Sequence, residues 1–141
     1  MKKILLNISN HQLKDWDKKQ REGWDEIINI PFPNVNPRFS EKETDELEDK
    51  IIEKIREAIN GRKEKFYCML QGEFSVCYGI FWKLKRYYKK YRIFSYNEHF
   101  IEGKEPMEFP INFVIPTTER IVEEKDGVKK SIFKFVSWRG I

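Results

Sequence analysis

Residues 66–85, FYCMLQGEFSVCYGIFWKLK, restrict the fold more than any other part of the chain. Residues 66–70 form a short, wholly apolar run, which is typical of a parallel strand covered on both faces. After a polar turn that contains Gly72, apolar residues recur at steps of three and four, as in a helix with one buried face. These residues are Phe74, Cys77, Tyr78, Phe81 and Leu84. The stretch therefore predicts a buried strand, a tight turn and a helix.

The same alternation extends along the chain. Apolar runs at residues 3–8, 24–30 and 111–115 predict further strands, and residues 11–20 predict a short surface helix. Ser40 and Glu43 form a capping box that begins a long amphipathic helix ending near Gly61. Strands that alternate with helices favour an α/β fold, with a mostly parallel sheet and helices on both of its faces. The length of 141 residues fits a single domain over residues 1–141.

The last part of the chain predicts a different pairing. Apolar residues alternate on both sides of Asp126-Gly127, a dipeptide that favours a two-residue turn, so residues 119–138 predict an antiparallel β-hairpin. The strand at residues 111–115 is expected to end in a polar turn that begins at Pro116. Residues 93–96 suggest a brief strand, and residues 97–110 carry no periodicity.

Charge and composition exclude several classes of function. The net charge of +4, from 27 basic and 23 acidic residues, is too small to indicate a duplex DNA binder. Cys68, Cys77, His11 and His99 lack the spacing of metal ligands, so we expect no metal and no cofactor. The chain has no Walker A, G-x-G-x-x-G or G-x-S-x-G motif. The apolar run at residues 4–6 is too short for a signal peptide or a membrane span, which predicts a cytoplasmic protein.

Polar side chains follow three of the predicted strands. Because carboxyl ends of parallel strands share one edge of the sheet, these side chains are expected to converge there as ligand-binding residues. They are Ser9, Asn10, His11, Gln71, Gly72, Glu73, Thr117, Thr118 and Arg120. Arg120 offers a bidentate fork for phosphate, and His11 is a candidate general acid or base. The alternative is that each segment only caps a helix or a turn, which suits Glu73 and His11 in particular.

Residues 85–92, KRYYKKYR, interleave cations with aromatic residues. Such a segment can contact phosphates and stack bases, as in a module that binds single-stranded RNA. The alternative is the end of a helix, where cations are favoured by the helix dipole.

Four segments together resemble the small stand-alone ancillary proteins of type III CRISPR systems. They are LLNISNH at the start, IPFPNVNP, the QGEF turn, and TTERIVEEKDGVKKSIFKFVSW at the end. The resemblance implies a Rossmann-like domain related to CARF sensors, which acts as a homodimer or higher homo-oligomer. Such proteins bind a cyclic oligoadenylate messenger across a two-fold axis, and the nine strand-end residues above would contact it.

Within this resemblance we favour a protein that binds cyclic tetra-adenylate and lowers its free level by sequestration. A metal-independent ring nuclease, with His11 and Arg120 as catalytic candidates, is the first alternative. A single-stranded RNA-binding or protein-interaction module is the second. Residues 87–112 depart from the family pattern because they are longer and more aromatic, which suggests an insertion that serves as a lid or an oligomer contact.

Overall fold

The structure, a computed structural model, describes the backbone of residues 1–97 and 111–141, and the side chains of residues 1–85 and 111–141. The strands and helices follow one another along the chain. The strands are β1 (Lys3–Ile8), β2 (Glu26–Ile30), β3 (Lys65–Leu70), β4 (Ile111–Lys125) and β5 (Val128–Gly140). The helices are α1 (Lys18–Arg21), α2 (Glu41–Ile59) and α3 (Phe74–Asn97), with a short 3-10 turn at Leu13–Asp15.

The five strands form one sheet in the order β2-β1-β3-β4-β5. The first three neighbouring pairs are parallel, and β4 pairs with β5 in the antiparallel direction. The predicted fold class is therefore confirmed as an α/β fold, with a mostly parallel sheet flanked by helices and a C-terminal hairpin. The predicted insertion or lid at residues 87–112 lies almost entirely outside the described side chains.

The main core lies between one face of the sheet and the two long helices. Alternate residues of β1 and β3, among them Ile4, Leu6 and Phe66, are fully buried there against apolar residues of both helices. The capping box at Ser40 and Glu43 begins α2, as predicted. Periodic apolar residues on both helices thus cover the same face of the sheet.

Aromatic residues cover part of the opposite face. Leu5, Met69 and Val114 are buried there beneath residues of the β1–β2 connection and the end of β5. The rings of Trp24 and Trp138 meet edge to face, with their centroids 5.4 Å apart. Since α1 is only four residues long, aromatic side chains supply much of the apolar surface that a longer helix would provide.

Three local predictions were wrong. The expected break at Pro116 is absent, because β4 runs on through Lys125 and pairs with β5 from Val114 onwards. Residues 93–96 belong to α3 and do not form a strand. Phe74 and Tyr78 are 80% and 54% exposed, so they do not belong to the buried face of α3. The turn at Asp126-Gly127 was predicted correctly, with positive φ angles of 55° and 78° that suit a tight hairpin turn.

The order of the strands creates a crevice between β1 and β3. The connection from β1 to β2 lies on one face of the sheet, whereas α3, which follows β3, lies on the other face. The two connections diverge, and a gap opens where the neighbouring strands end. Ligands of open α/β sheets bind at this kind of switch point, beyond the carboxyl ends of the strands.

Candidate functional site

A cleft of about 520 Å³ occupies this switch point. It brings together the segment that follows β1 and the segment that follows β3, although about 60 residues separate them in sequence. The cleft is lined by Asn10, His11, Leu70, Gln71, Gly72, Phe74 and Cys77. Two of the three predicted polar segments therefore contribute to one site.

A buried hydrogen-bond network shapes the segment after β1. The Ser9 hydroxyl donates to Asn7 Oδ1 at 2.6 Å, and the Asn7 amide donates to Asn29 Oδ1 at 2.9 Å and to the His11 carbonyl at 3.3 Å. The His11 backbone N–H donates to the Ser9 hydroxyl at 3.2 Å. Asn7 and Ser9 are 1% and 6% exposed. Ser9 thus holds the turn in place and is not itself open to a ligand, and Asn7, which the sequence did not single out, is its main partner.

Asn10 and His11 extend from this turn towards the solvent. Asn10 Oδ1 accepts a hydrogen bond from the Phe32 backbone N–H at 3.1 Å, which fixes the side chain and leaves its amide donors free in the part of the chain that the structure describes. The His11 imidazole is exposed and forms no hydrogen bond with any described residue. Both side chains are therefore accessible from the cleft.

The turn between β3 and α3 is built for close packing. The Gln71 backbone N–H donates to the Ile8 carbonyl at 3.0 Å, which joins this turn to the end of β1. A Cβ at Gly72 would overlap the ring of Phe32. The glycine is thus required because Phe32 lies against the backbone, and a positive φ is not the reason.

Glu73 caps the amino end of α3. Its Oε2 accepts hydrogen bonds from the Ser75 hydroxyl at 2.6 Å and from the Val76 backbone N–H at 2.9 Å. These two bonds, with the hydroxyl as the larger cause, hold the pKa of Glu73 below its usual value. The positive end of the helix is therefore already occupied by a carboxylate, and an anionic ligand at this end must compete with it.

The cysteines are not suited to nucleophilic chemistry. Cys77 lines the cleft, but burial and the nearby charge of Glu73 raise the pKa of its thiol. Burial raises the pKa of Cys68 even more strongly. Both thiols consequently stay protonated near neutral pH, whereas the thiolate is the nucleophilic form.

The third predicted segment lies outside this cleft. Thr117, Thr118 and Arg120 sit within the hairpin, where the Thr117 hydroxyl lies 2.8 Å from the Ser137 hydroxyl and Arg120 Nη2 donates to Ser131 Oγ at 2.9 Å. They do not line the cleft because β4 continues as a strand where a turn was expected. A role for these residues in ligand binding stays a prediction.

An exposed row of aromatic residues on α3 begins at the cleft. Phe74, Tyr78 and Trp82 follow one another at every fourth position, with ring centroids 6.0 and 6.1 Å apart. Their spacing is also that of a buried helix face, which is why the sequence assigned the first two to the core. Val76, Ile80 and Leu84 also follow one another at every fourth position, and they form the buried face of α3. Their aliphatic side chains were the sequence signal that could have distinguished this buried face from the exposed aromatic one.

Within the basic segment at residues 85–92, the structure describes one side chain. The ammonium of Lys85 lies 5.4 Å from the ring centroid of Phe81 and 5.8 Å from that of Phe113, as expected for a cation packed over aromatic rings. The other side chains of the segment lie outside the described residues, so its proposed RNA contacts stay a prediction.

The described residues offer neither a cluster of metal-ligating side chains nor a membrane-spanning helix. No group of three or more His, Cys, Asp or Glu side chains could hold a metal ion in this part of the chain. None of the helices, as far as they are described, is both long and apolar enough to cross a membrane.

Comparison with protein-family models gives a match over most of the chain. A family model covers residues 3–98, which is more than half of the chain and includes both segments that form the cleft, but not the β4–β5 hairpin. Neither the curated proteins nor the solved structures contain a match to the chain. On the extent of the family match, the chain belongs to the Uncharacterized protein MJ1673 family.

Proposed function

We propose that the chain binds a cyclic oligoadenylate messenger as a homodimer and lowers its free concentration by sequestration. The observation that carries this proposal is the cleft at the switch point, where Asn10, His11 and Gln71 meet beside the exposed ring of Phe74. The resemblance of the strand-end segments to type III CRISPR ancillary proteins supports the class of ligand, and cyclic tetra-adenylate is the ring size that we favour.

The chemistry of the cleft suits an adenine nucleotide. Asparagine and glutamine amides can donate and accept in pairs with the N6 and N7 edge of adenine, and the presence of Asn10 and Gln71 in the cleft lining supports such a contact. An exposed aromatic ring such as Phe74 offers a surface on which a base can stack. The cleft thus combines hydrogen bonding to the base edge with stacking on its face.

Sequestration is favoured over cleavage by the side chains that line the cleft. Among the described residues there, His11 supplies the one imidazole, the side chain that enzymes most often use for proton transfer. The Cys77 thiol stays protonated, and Glu73 is engaged as a helix cap. A single imidazole gives no acid and base pair for cutting a phosphodiester.

Calorimetry with cyclic tri-, tetra- and hexa-adenylate tests the proposal. We expect heat with at least one ring, and an affinity that falls about tenfold in Gln71→Ala because a bidentate contact to a base is worth about 1–3 kcal/mol. Gln12→Ala is the matched control, since Gln12 is an exposed glutamine outside the cleft lining. The absence of heat with all three rings, under conditions where the protein is folded, would refute the proposal.

The second candidate function is a metal-independent ring nuclease, which the free imidazole of His11 in the cleft favours. Labelled cyclic tetra-adenylate incubated with the protein in EDTA separates the two functions. Sequestration predicts an intact ring. Linear products that disappear in His11→Ala would instead assign cleavage to this site.

A further inference from the structure

The β4–β5 hairpin extends from the sheet as a two-stranded arm. Every residue from 118 to 134 is exposed, and residues 119–125 pair with residues 128–134 across the hairpin. An isolated two-stranded ribbon is at best marginally stable in water. The arm nevertheless keeps large apolar side chains in the solvent, among them Ile121, Ile132 and Phe133. Such a ribbon is expected to gain stability when another surface covers it.

The register of the arm divides its side chains between two faces. Four cross-strand rows of the arm share the face on the α3 side of the sheet, since β4 residues alternate outward from Phe113, which packs in the core on that side. The three rows nearest the sheet, in order towards the tip, are Glu119 with Lys134, Ile121 with Ile132, and Glu123 with Lys130, and the fourth row, at the tip, is Lys125 with Val128. We call the six residues of the first three rows the helix-side face of the arm.

The charges of this face are arranged by strand. Its glutamates all lie on β4 and its lysines all lie on β5, with the two isoleucines, 38% and 37% exposed, between them. Within the part of the chain that the structure describes, none of these four charged side chains forms an ion pair. They are therefore available to a partner.

A second copy of the same face is its electrostatic complement. We propose that two chains pack their helix-side faces together about a two-fold axis parallel to the strands. This rotation places β4 of one subunit opposite β5 of the partner subunit, and each cross-strand row keeps its position along the strands. Each glutamate then faces the lysine of its row on the partner subunit, and isoleucine faces isoleucine. A two-fold axis across the strands would instead bring Glu119 against Glu123 of the partner subunit.

The direction of the two-fold axis determines where the two clefts lie in the dimer. Because the axis is parallel to the strands, the carboxyl edges of both sheets point the same way, and both clefts open on one side of the dimer. One cyclic ligand could then contact both subunits. The inference rests on the proposed function in this respect, since it names the surface of the homodimer that the function requires.

The size of the face sets the expected strength of the dimer. Six side chains are far fewer than the about 20–30 residues a side of a stable protein interface. The arms alone should give a weak, concentration-dependent dimer, and a ligand that spans both clefts should strengthen it by linkage.

Charge-swapped variants test this arrangement by sedimentation or light scattering without any ligand. In one variant, Glu119→Lys and Glu123→Lys make the face wholly positive; in the other, Lys130→Glu and Lys134→Glu make it wholly negative. We expect each variant alone to dimerise at least about tenfold more weakly than the original chain, because like charges then meet. An equimolar mixture should restore a dimer that contains one chain of each kind.

The matched control lies on the opposite face of the same arm. Glu124 and Lys129 also form a cross-strand pair, and exchanging them as Glu124→Lys with Lys129→Glu should leave dimerisation unchanged. Circular dichroism confirms that each variant is folded. An original chain that is monomeric at its highest soluble concentration would overturn the proposal, as would variants that dimerise like it or a mixture that does not pair.

The outcomes also separate this inference from the proposed function. A dimer that depends on the helix-side face but gives no heat with any cyclic oligoadenylate would leave the interface standing and remove the function. Binding of the ligand with undiminished affinity by both charge-swapped variants, together with unchanged dimerisation, would leave the function standing and remove the interface.

Discussion

At the scale of single residues, two glycines of the segment from β3 into α3 are explained by neighbours that approach their backbones. Gly72 lies against Phe32, and Gly79 lies against the carboxyl group of Glu48. In both places a side chain from another segment fills the space that a Cβ would take. Such contacts depend on the tertiary structure, so the sequence could indicate a special position at Gly72 but not the ring that occupies it.

We expect Gly72→Ala to destabilise the protein by about 1–3 kcal/mol, because the added methyl group overlaps a buried ring and adjacent backbone must shift. Denaturant unfolding measures the change. Gly140→Ala is the control, since nothing lies within 4 Å of a Cβ at that position and its φ is not positive. Equal stabilities of the two variants would show that Phe32 yields without cost.

Glu48 is an acidic residue that the fold buries. It is 6% exposed, lies on α2 against α3, and forms no hydrogen bond with a described residue. Burial, opposed in part by Lys83, raises the pKa of its carboxyl group. The folded state therefore holds this proton more tightly than the unfolded state, and stability is lost as the pH rises from about 4.5 through the folded pKa.

Glu48→Gln is expected to increase the free energy of unfolding near pH 7, on the order of 1 kcal/mol, because an uncharged amide replaces a buried charge. Near pH 4 the carboxyl is largely protonated in both states, and the two proteins should differ little. Thermal unfolding across this pH range measures the effect, with the exposed Glu46→Gln on the same helix as control. A gain that is equal at both pH values would contradict burial of the charge as the cause.

At the scale of elements, the amino end of α3 combines a structural cap with the edge of the cleft. Glu73 supplies the cap, and its pKa is lowered by the hydrogen bonds that it accepts. Its contribution to stability is thus complete above the ordinary carboxyl pKa and is lost as the pH falls through the lowered value. The same negative charge opposes an anionic ligand.

Glu73→Ser should keep the cap, because serine also accepts from the third backbone N–H of a helix, while it removes the charge. We expect stability to change by less than about 0.5 kcal/mol and affinity for a cyclic oligoadenylate to rise severalfold. Calorimetry and denaturant unfolding measure the two quantities. Glu73→Ala, which loses the cap, should cost about 1 kcal/mol of stability. Weaker ligand binding by the serine variant would instead indicate that the carboxylate contacts the ligand.

Elements that are determined by residues close together in sequence could be predicted from short sequence motifs. The capping box of α2 and the turn at Asp126-Gly127 are of this kind, and both were predicted correctly. The length of β4 was missed because Pro116 suggested a break. Among the described strands, β3 pairs with β4 only as far as Phe113, and a strand with an unpaired side can accommodate proline.

At the scale of the whole molecule, strand order decides which segments form the site. Alternation of strands and helices indicates a parallel sheet, but it does not specify that β1 and β3 are neighbours in the centre. Two polar segments meet in the cleft for this reason. The third predicted segment does not reach the cleft, because β4 continues beyond the end that the sequence predicted for it. The hydrogen-bond network of Asn7, Ser9 and Asn29 could not be inferred from the sequence, because it joins residues of β1 and β2.

Trp138 connects the end of the hairpin to the rest of the molecule. Its ring packs against Trp16 and Trp24, and its indole N–H donates to the Gln20 carbonyl at 3.2 Å, 118 positions away in sequence. Trp138→Ala should therefore lower the free energy of unfolding by about 3 kcal/mol. The whole fold should be destabilised in a single cooperative unfolding transition, because the second face of the sheet loses part of its aromatic cover.

Trp82→Ala is the matched control for this change, because it also removes an indole, but one that is 54% exposed on α3. We expect it to alter stability by less than about 1 kcal/mol. Denaturant unfolding should be followed at a protein concentration low enough to exclude association, so that only the fold is measured. If the two variants were equally stable, the aromatic cover would not hold the hairpin to the β1–β2 connection, and the helical face would account for the stability of the sheet.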